Sequence, residues 1–308
     1  MQAAADSSRY VSKFAALTFP ELQLCENPYN HRISFSANGA DTANMKQSRR
    51  KIEEMLWVAG LHGSARQLYA RTFGRQAAEA QRKMNNFYSG VIQPGKLVFD
   101  IGANVGVLSA SFASLGAKVV AVEPNADCVR HIQLSYPDLG INVIQAAVGG
   151  QLGLVVLNVA DERDVRSSVS EEWMSTMSEL DQSYNKLWSR RVVVPMVTLD
   201  SLIAQFGMPQ FIKIDVEGFE EKVLSGLSRQ PPLLSFEFTA AFLAPALNCL
   251  GKTVFQEAST FNFAYNSEDW GYPVRFEKDH WMDRAELERV LREVEGSDKQ
   301  GDIFVQSP

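Results

Sequence analysis

The feature that most constrains this chain is the run from Leu97 to Gly116, LVFDIGANVGVLSASFASLG. Its first six residues are a short apolar stretch of the kind found in a strand buried on both faces. That stretch enters a turn, Asp100-Ile101-Gly102-Ala103-Asn104-Val105-Gly106, and the turn opens a helical spacing over 105–116. Gly116 suits the left-handed position just past a helix end. A strand that passes through glycines directly into a helix begins a parallel α/β unit, and the pattern repeats downstream.

AKVVAVEP (117–124) predicts a second strand and DCVRHIQLSYP (127–137) a second helix. INVIQAAVG (141–149) predicts a third strand, with LGLVVLNVA (152–160) beside it. After a polar stretch over 161–190, VVVPMV (192–197) leads to a helix that Thr198 can cap. FIKIDVEG (211–218) is a strand entering a helix, LLSFEFT (233–239) the next strand, and the chain then looks helical to about Gln256. FNFAYN (261–266) and GDIFVQS (301–307) read as strands. Between them lies a helix over 283–296, with Asp283 and Glu286 at capping-box spacing. The alternation predicts an α/β fold around a mainly parallel sheet over 95–308.

Residues 1–94 have a different texture and read as a helical and irregular N-terminal extension. Residues 26–45 are loop-like. Residues 45–83 look helical and carry nine Lys or Arg against Glu53, Glu54 and Glu79. A patch for an anionic partner and a solvated helix face are both consistent with that run. The whole chain, at 308 residues, 45% apolar, 21% charged and net charge −6, excludes disorder and argues against a generally basic nucleic-acid binder. Cys25, Cys128 and Cys249 are too few and too scattered for a disulfide framework or a zinc site. No signal-like start and no long apolar run is present, so a soluble protein of the cytoplasm is the expectation.

The turn narrows the ligand. A P-loop needs a lysine that is absent here. A dinucleotide fingerprint needs GxGxxG, but Asn104 holds the middle position and no third glycine follows. A nucleoside without a pyrophosphate remains. Glu123, at the end of the second strand, lies 21 residues past Gly102, where a carboxylate can accept both ribose hydroxyls. Asp100 adds a negative charge that suits a cation. S-adenosyl-L-methionine, an adenosine with a sulfonium and an ammonium, meets these demands. A nicotinamide-dependent oxidoreductase is disfavoured by Asn104 and the missing glycine. A non-catalytic binding protein of the same fold is disfavoured by the intact turn, Glu123 and IKIDVEG.

VFDIGANVG (98–106), VVAVEPN (119–125), AAVGG (146–150), VTLDSL (197–202), FIKIDVEGFEEKVLSGL (211–227) and LLSFEF (233–238) together resemble the FkbM-type S-adenosylmethionine-dependent methyltransferases. The resemblance is strong over about 92–240. It implies a Rossmann-like class I methyltransferase fold, a seven-stranded sheet with its last strand antiparallel, and O-methylation of a hydroxyl on a sugar or small natural product. It also implies that Asp100, Gly102, Asn104 and Gly106 line the methionine end of the cofactor, that Glu123 takes the ribose, and that Asn125, Gln145 and Ala146 lie at the adenine edge.

Lys213 and Asp215 share a face of their strand. Asp215 suits the cofactor's ammonium or the acceptor's proton, or serves simply as an N-cap or a partner of Lys213. Glu217 and Glu220 begin the next helix, where the dipole favours acids in any case. Glu217 joins Asp215 as a catalytic candidate, and Glu237 is a second cleft carboxylate or an ion-pair partner. No metal site is expected. The expected partner is a small-molecule or glycan acceptor, not a nucleic acid. Ser167, Ser168 and the Trp173/Trp188 region form a candidate lid, and His31, His62, His131 and His280 read as surface or satisfied groups.

Overall fold

The computed structural model describes residues 78–79, 81–160, 167–180, 188–252, 254–267 and 271–308. All of them belong to the compact unit Arg75–Pro308. Cys25, His31, His62, the loop over 26–45 and most of the basic stretch over 45–83 lie outside the described residues.

A helix, α1 (residues 81–89), precedes the first strand, β1 (Leu97–Ile101). There follow α2 (Val107–Ser114), β2 (Lys118–Val122), α3 (Ala126–Ser135), β3 (Asn142–Ile144), β4 (Ala147–Val148) and β5 (Gly153–Ala160). The next elements are α4 (Glu171–Leu180), β6 (Trp188–Val197), α5 (Leu199–Phe206), β7 (Phe211–Ile214), α6 (Glu220–Ser225) and β8 (Leu233–Thr239). Helix α7 (Ala244–Leu250), β9 (Thr260–Tyr265), α8 (Arg284–Arg292) and β10 (Gln300–Gln306) complete the unit.

Seven strands form one sheet in the order β3-β2-β1-β7-β8-β10-β9. The pairs β1–β2, β1–β7, β2–β3 and β7–β8 are parallel, while the last strand, β10, runs antiparallel between β8 and β9. This is the Rossmann-like class I methyltransferase arrangement. Strand order reverses between β1 and β7, so the carboxyl ends of these two strands flank the switch-point crevice where such sheets bind ligands.

Alternation along the strands sends side chains to two cores. Phe99, Ile101, Ile212, Ile214, Leu234 and Phe236 fill one face. Val98, Val119, Phe211 and Phe304 fill the other, together with Met84, Phe87, Tyr88, Val91 and Ile92 from α1 and the residues after it.

Thr198 caps α5 as expected, accepting from Ser201 N while the Ser201 hydroxyl satisfies the cap's own N–H. Asp283 likewise accepts from Glu286 N at 2.8 Å. Three expectations need correction. The third-strand run breaks at Gln145-Ala146 into β3, in the main sheet, and β4. The run 152–160 does not lie beside β3: it pairs antiparallel with β6 in a separate three-stranded sheet, β4-β6-β5. Composition hid this, because the segment reads as apolar on both faces, yet its buried apolar side chains are Leu157 and Val159 while Leu154 is 73% exposed. The helical stretch after β8 also stops early, at Leu250. Among the described residues no helix is long and apolar enough to cross a membrane.

Candidate active site

The turn after β1 has the backbone its residue types suggest. Gly102, Asn104 and Gly106 have φ of 81°, 51° and 82°, in the left-handed region that glycine adopts freely and asparagine tolerates. Gly102 N donates to Val122 O at 2.9 Å and Asp215 N to Ile101 O at 2.9 Å, so the ends of β1, β2 and β7 are tied together. A Cβ on Gly102 would collide with the backbone carbonyl of Asp215. Gly106 serves packing too, since a Cβ there would stand 2.7 Å from Ile132 of α3.

Asp100, on β1, is buried and accepts from the Ser109 hydroxyl of α2 at 2.5 Å. Burial pushes its carboxyl up to about 6, against the opposing effect of the Ser109 hydrogen bond. Glu123 is held by both oxygens, Oε2 accepting from Asn104 N and Oε1 from Asn125 N, each at 2.8 Å. Burial pushes Glu123 up to about 7, although both backbone hydrogen bonds favour its ionised form. The turn and the end of β2 are therefore one structure: the strained residue Asn104 presents its N–H to the carboxylate that ends the neighbouring strand.

The adenine-edge candidates are less tightly gathered. Asn125 uses its side-chain oxygen to cap α3, accepting from Asp127 N at 3.0 Å. Ala146 is buried and Gln145 exposed where β3 passes into β4, and Glu123 N donates to Ile144 O just before them at 3.0 Å.

On β7 the expected pairing of Lys213 with Asp215 is present at 3.1 Å, but Lys213 has a second and more deeply buried partner, Asp302 of β10, at 3.0 Å. Burial opposes the lysine's charge. Asp215 and Asp302 outweigh that effect and hold its pKa well above the ordinary lysine value. Asp302 Oδ2 and the hydroxyl of Tyr88 are both buried and make no hydrogen bond among the described residues. Sequence reasoning missed Asp302 and Tyr88. A lone aspartate inside the apolar run GDIFVQ signals the former, whereas nothing in the sequence signals the latter.

Beyond Asp215 the chain turns through Glu217 (φ 54°) and Gly218 (φ 86°). Glu220 closes this turn from α6, accepting from Val216 N at 3.0 Å and Gly218 N at 3.3 Å. Burial pushes Glu220 up to about 7. The lid candidates lie against the same turn: the buried Ser168 donates to Glu217 O at 2.8 Å, and Trp173 packs where a side chain on Gly218 would be. Trp173, Gly218, Glu220, Glu237, Phe238 and Phe242 line a cleft here. Burial, with Asp215 and Glu217 nearby, pushes the Glu237 carboxyl well above the usual range. His280 is exposed and paired with Asp279 at 3.0 Å, and His131 lies 3.1 Å from the Ser135 hydroxyl.

The donor set suits S-adenosylmethionine. Asp215, 35% exposed, offers a carboxylate at the switch point, the buried Asp100 adds its charge nearby, and Glu123 is oriented by backbone N–H groups with lone pairs left over. Among the described residues no group of three His, Cys, Asp or Glu side chains is placed to hold a metal ion.

The family described as Methyltransferase FkbM domain matches the chain over residues 100–272. No curated protein matches it in sequence. Among solved structures, similarity is found to a precorrin-6y C5,15-methyltransferase from Geobacter metallireducens at 12% identity, covering 75% of this chain and 87% of that one, with a TM-score of 0.34. An rRNA methylase from Streptococcus thermophilus is similar at 10% identity, with 72% and 93% covered and a TM-score of 0.32. Thermoplasma acidophilum 1320 is similar at 11% identity, with 75% and 86% covered and a TM-score of 0.37.

Proposed function

This chain belongs to the FkbM methyltransferase family, and from that premise we propose that it methylates a hydroxyl on a sugar or small natural product, drawing the methyl group from S-adenosylmethionine. The observation that carries this reading is the meeting of Gly102, Asn104, Glu123 and Asp215 at the carboxyl ends of three adjacent strands, where the Gly102 and Asp215 backbones approach closely and the Glu123 carboxylate accepts from Asn104 N. When bound, S-adenosylmethionine supplies an electrophilic methyl group on a sulfonium.

The chain's own residues do the rest. Gly102 and Gly106 shape the turn, and Glu123 receives the ribose hydroxyls on oxygens already aligned by Asn104 N and Asn125 N. Asn125, Gln145 and Ala146 border the adenine. Asp100 and Asp215 hold the charged methionine end, and Lys213 fixes the Asp215 carboxylate. Glu217 borders the acceptor side, where Trp173 and Phe242 exclude water. Holding acceptor oxygen and methyl carbon in line can supply about 7–11 kcal/mol of the barrier reduction.

The test is transfer of a labelled methyl group to a panel of glycans and small-molecule hydroxyls, with Asp215→Asn alongside. The reading expects at least one hydroxyl acceptor to be methylated. It also expects the variant to bind S-adenosylhomocysteine roughly tenfold more weakly, as when a charge-assisted hydrogen bond is lost. Unchanged binding with lost turnover would instead give Asp215 the role of proton acceptor. Labelling of RNA and of no hydroxyl in the panel would reject the acceptor class.

A further inference from the structure

The parallel register of β7 and β8 sets Lys213 opposite Ser235 and Ile214 opposite Phe236. Asp215 follows directly on the end of β7, still bonded to β1 through its N–H, and continuing the register one step sets it opposite Glu237 of β8, on the face already occupied by Lys213 and Ser235. From the other side, antiparallel β10 sets Asp302 opposite Glu237. Glu217 acts on Glu237 from the turn and Glu220 from α6, and Trp173, Phe238 and Cys249 complete the wall of the cleft. Among the described residues the cation facing Glu237 is Lys213, whose ammonium already lies 3.0 Å from Asp302 and 3.1 Å from Asp215.

Carboxylates gathered on one face of neighbouring strands and the turn beside them, largely out of water, do not all ionise together; the least compensated keeps a proton until another positive charge arrives. Asp215 and Asp302 are each paired with Lys213, and Glu220 accepts two backbone N–H groups. Glu237 lines the cleft beside them. A sulfonium brings the missing positive charge, and methyl transfer removes it again.

Resting on the reading of the site given above, we infer that Glu237 is the proton acceptor for the methylated hydroxyl, and that it exchanges its proton in step with the cofactor. With a sulfonium in the site Glu237 is ionised. As the C–O bond forms and the C–S bond breaks, the electron pair of the broken bond stays on sulfur and the hydroxyl proton passes to Glu237. Sulfonium and carboxylate become thioether and carboxylic acid, so the charge of the site is conserved through the step. Replacement of S-adenosylhomocysteine by a new S-adenosylmethionine then releases the proton to water.

Calorimetric titration of the full chain at neutral pH, in two buffers of different ionisation enthalpy, counts the protons released on binding. About one more proton should leave with S-adenosylmethionine than with S-adenosylhomocysteine, a comparison that needs no variant. Glu237→Gln should bind both ligands and abolish the difference. Equal proton counts in the wild type, or a difference that survives Glu237→Gln, overturn the inference and leave the cofactor reading intact. Failure of both ligands to bind the wild type overturns the two together.

Discussion

The ammonium of Lys213 lies 3.0 Å from a carboxylate oxygen of Asp302, and both side chains are only 2% exposed. The same ammonium reaches Asp215, 35% exposed, at 3.1 Å. One lysine thus joins the core of the sheet to the cleft, through strands β7 and β10 that β8 separates. Removing one partner of a buried pair strands the other charge, which typically costs about 3–5 kcal/mol. Lys213→Met should lower unfolding stability by that order in denaturant titrations. The double variant Lys213→Met/Asp302→Leu should recover most of the loss. A double variant no more stable than the single one would show that Asp302 is not the group left uncompensated.

Gly102 and Gly95 separate two reasons for needing glycine. Both have positive φ, but a Cβ on Gly95 meets nothing within 4 Å, whereas one on Gly102 would strike the backbone of Asp215. Gly95→Ala should cost about 1–2 kcal/mol, the backbone strain alone. Gly102→Ala should cost about 3 kcal/mol or more, because neither backbone can yield without parting β1 from β7. Thermal or denaturant midpoints compare the two directly. Similar losses would place the requirement in φ and not in the close approach.

The buried acids set a pH dependence with a definite sign. Asp100 is raised from 3.8 to about 6, and Glu123 and Glu220 are each raised from 4.5 to about 7. Between the unfolded and folded values the native state binds more protons than the unfolded one, so stability falls as pH rises through that window. The contribution is fully present below the unfolded values and lost once pH passes the folded ones. The cofactor-free protein should therefore melt higher at about pH 5 than at about pH 8. A group whose folded pKa stands ten times less acidic than its unfolded one contributes about 1.4 kcal/mol to that difference. Glu123→Gln should flatten the profile. A variant profile as steep as the wild type's would remove Glu123 from this account.

The sequence made the main sheet legible because each strand leading to the crevice is marked twice, by an apolar run and by a glycine or acid at its end. Asp100, Gly102 and Glu123 can be read for this reason, and so can Asp215 at the end of FIKID. What escapes is long-range. Asp302 meets Lys213 through strand order alone, 89 residues later in the chain. The run 152–160 looks like a core strand, because Leu152 and Leu154 are as apolar as any buried residue, although they are 67% and 73% exposed. Asn125 stands out in the sequence by its place beside Glu123, whereas its side chain caps α3. Local chemistry sets that outcome, since asparagine before a helix finds the nearest free N–H.

Everything proposed for the site depends on the turn Asp100–Gly106 and Glu123 together holding S-adenosylmethionine. Titration of the wild type with S-adenosylhomocysteine and with NAD, repeated on Glu123→Gln, tests this most directly. Saturable one-to-one binding of S-adenosylhomocysteine and no binding of NAD are predicted. Glu123→Gln should weaken the binding roughly tenfold or more, as the ribose loses its carboxylate. Binding of NAD in preference to S-adenosylhomocysteine, or a Glu123→Gln variant that binds S-adenosylhomocysteine as tightly as the wild type, would contradict it.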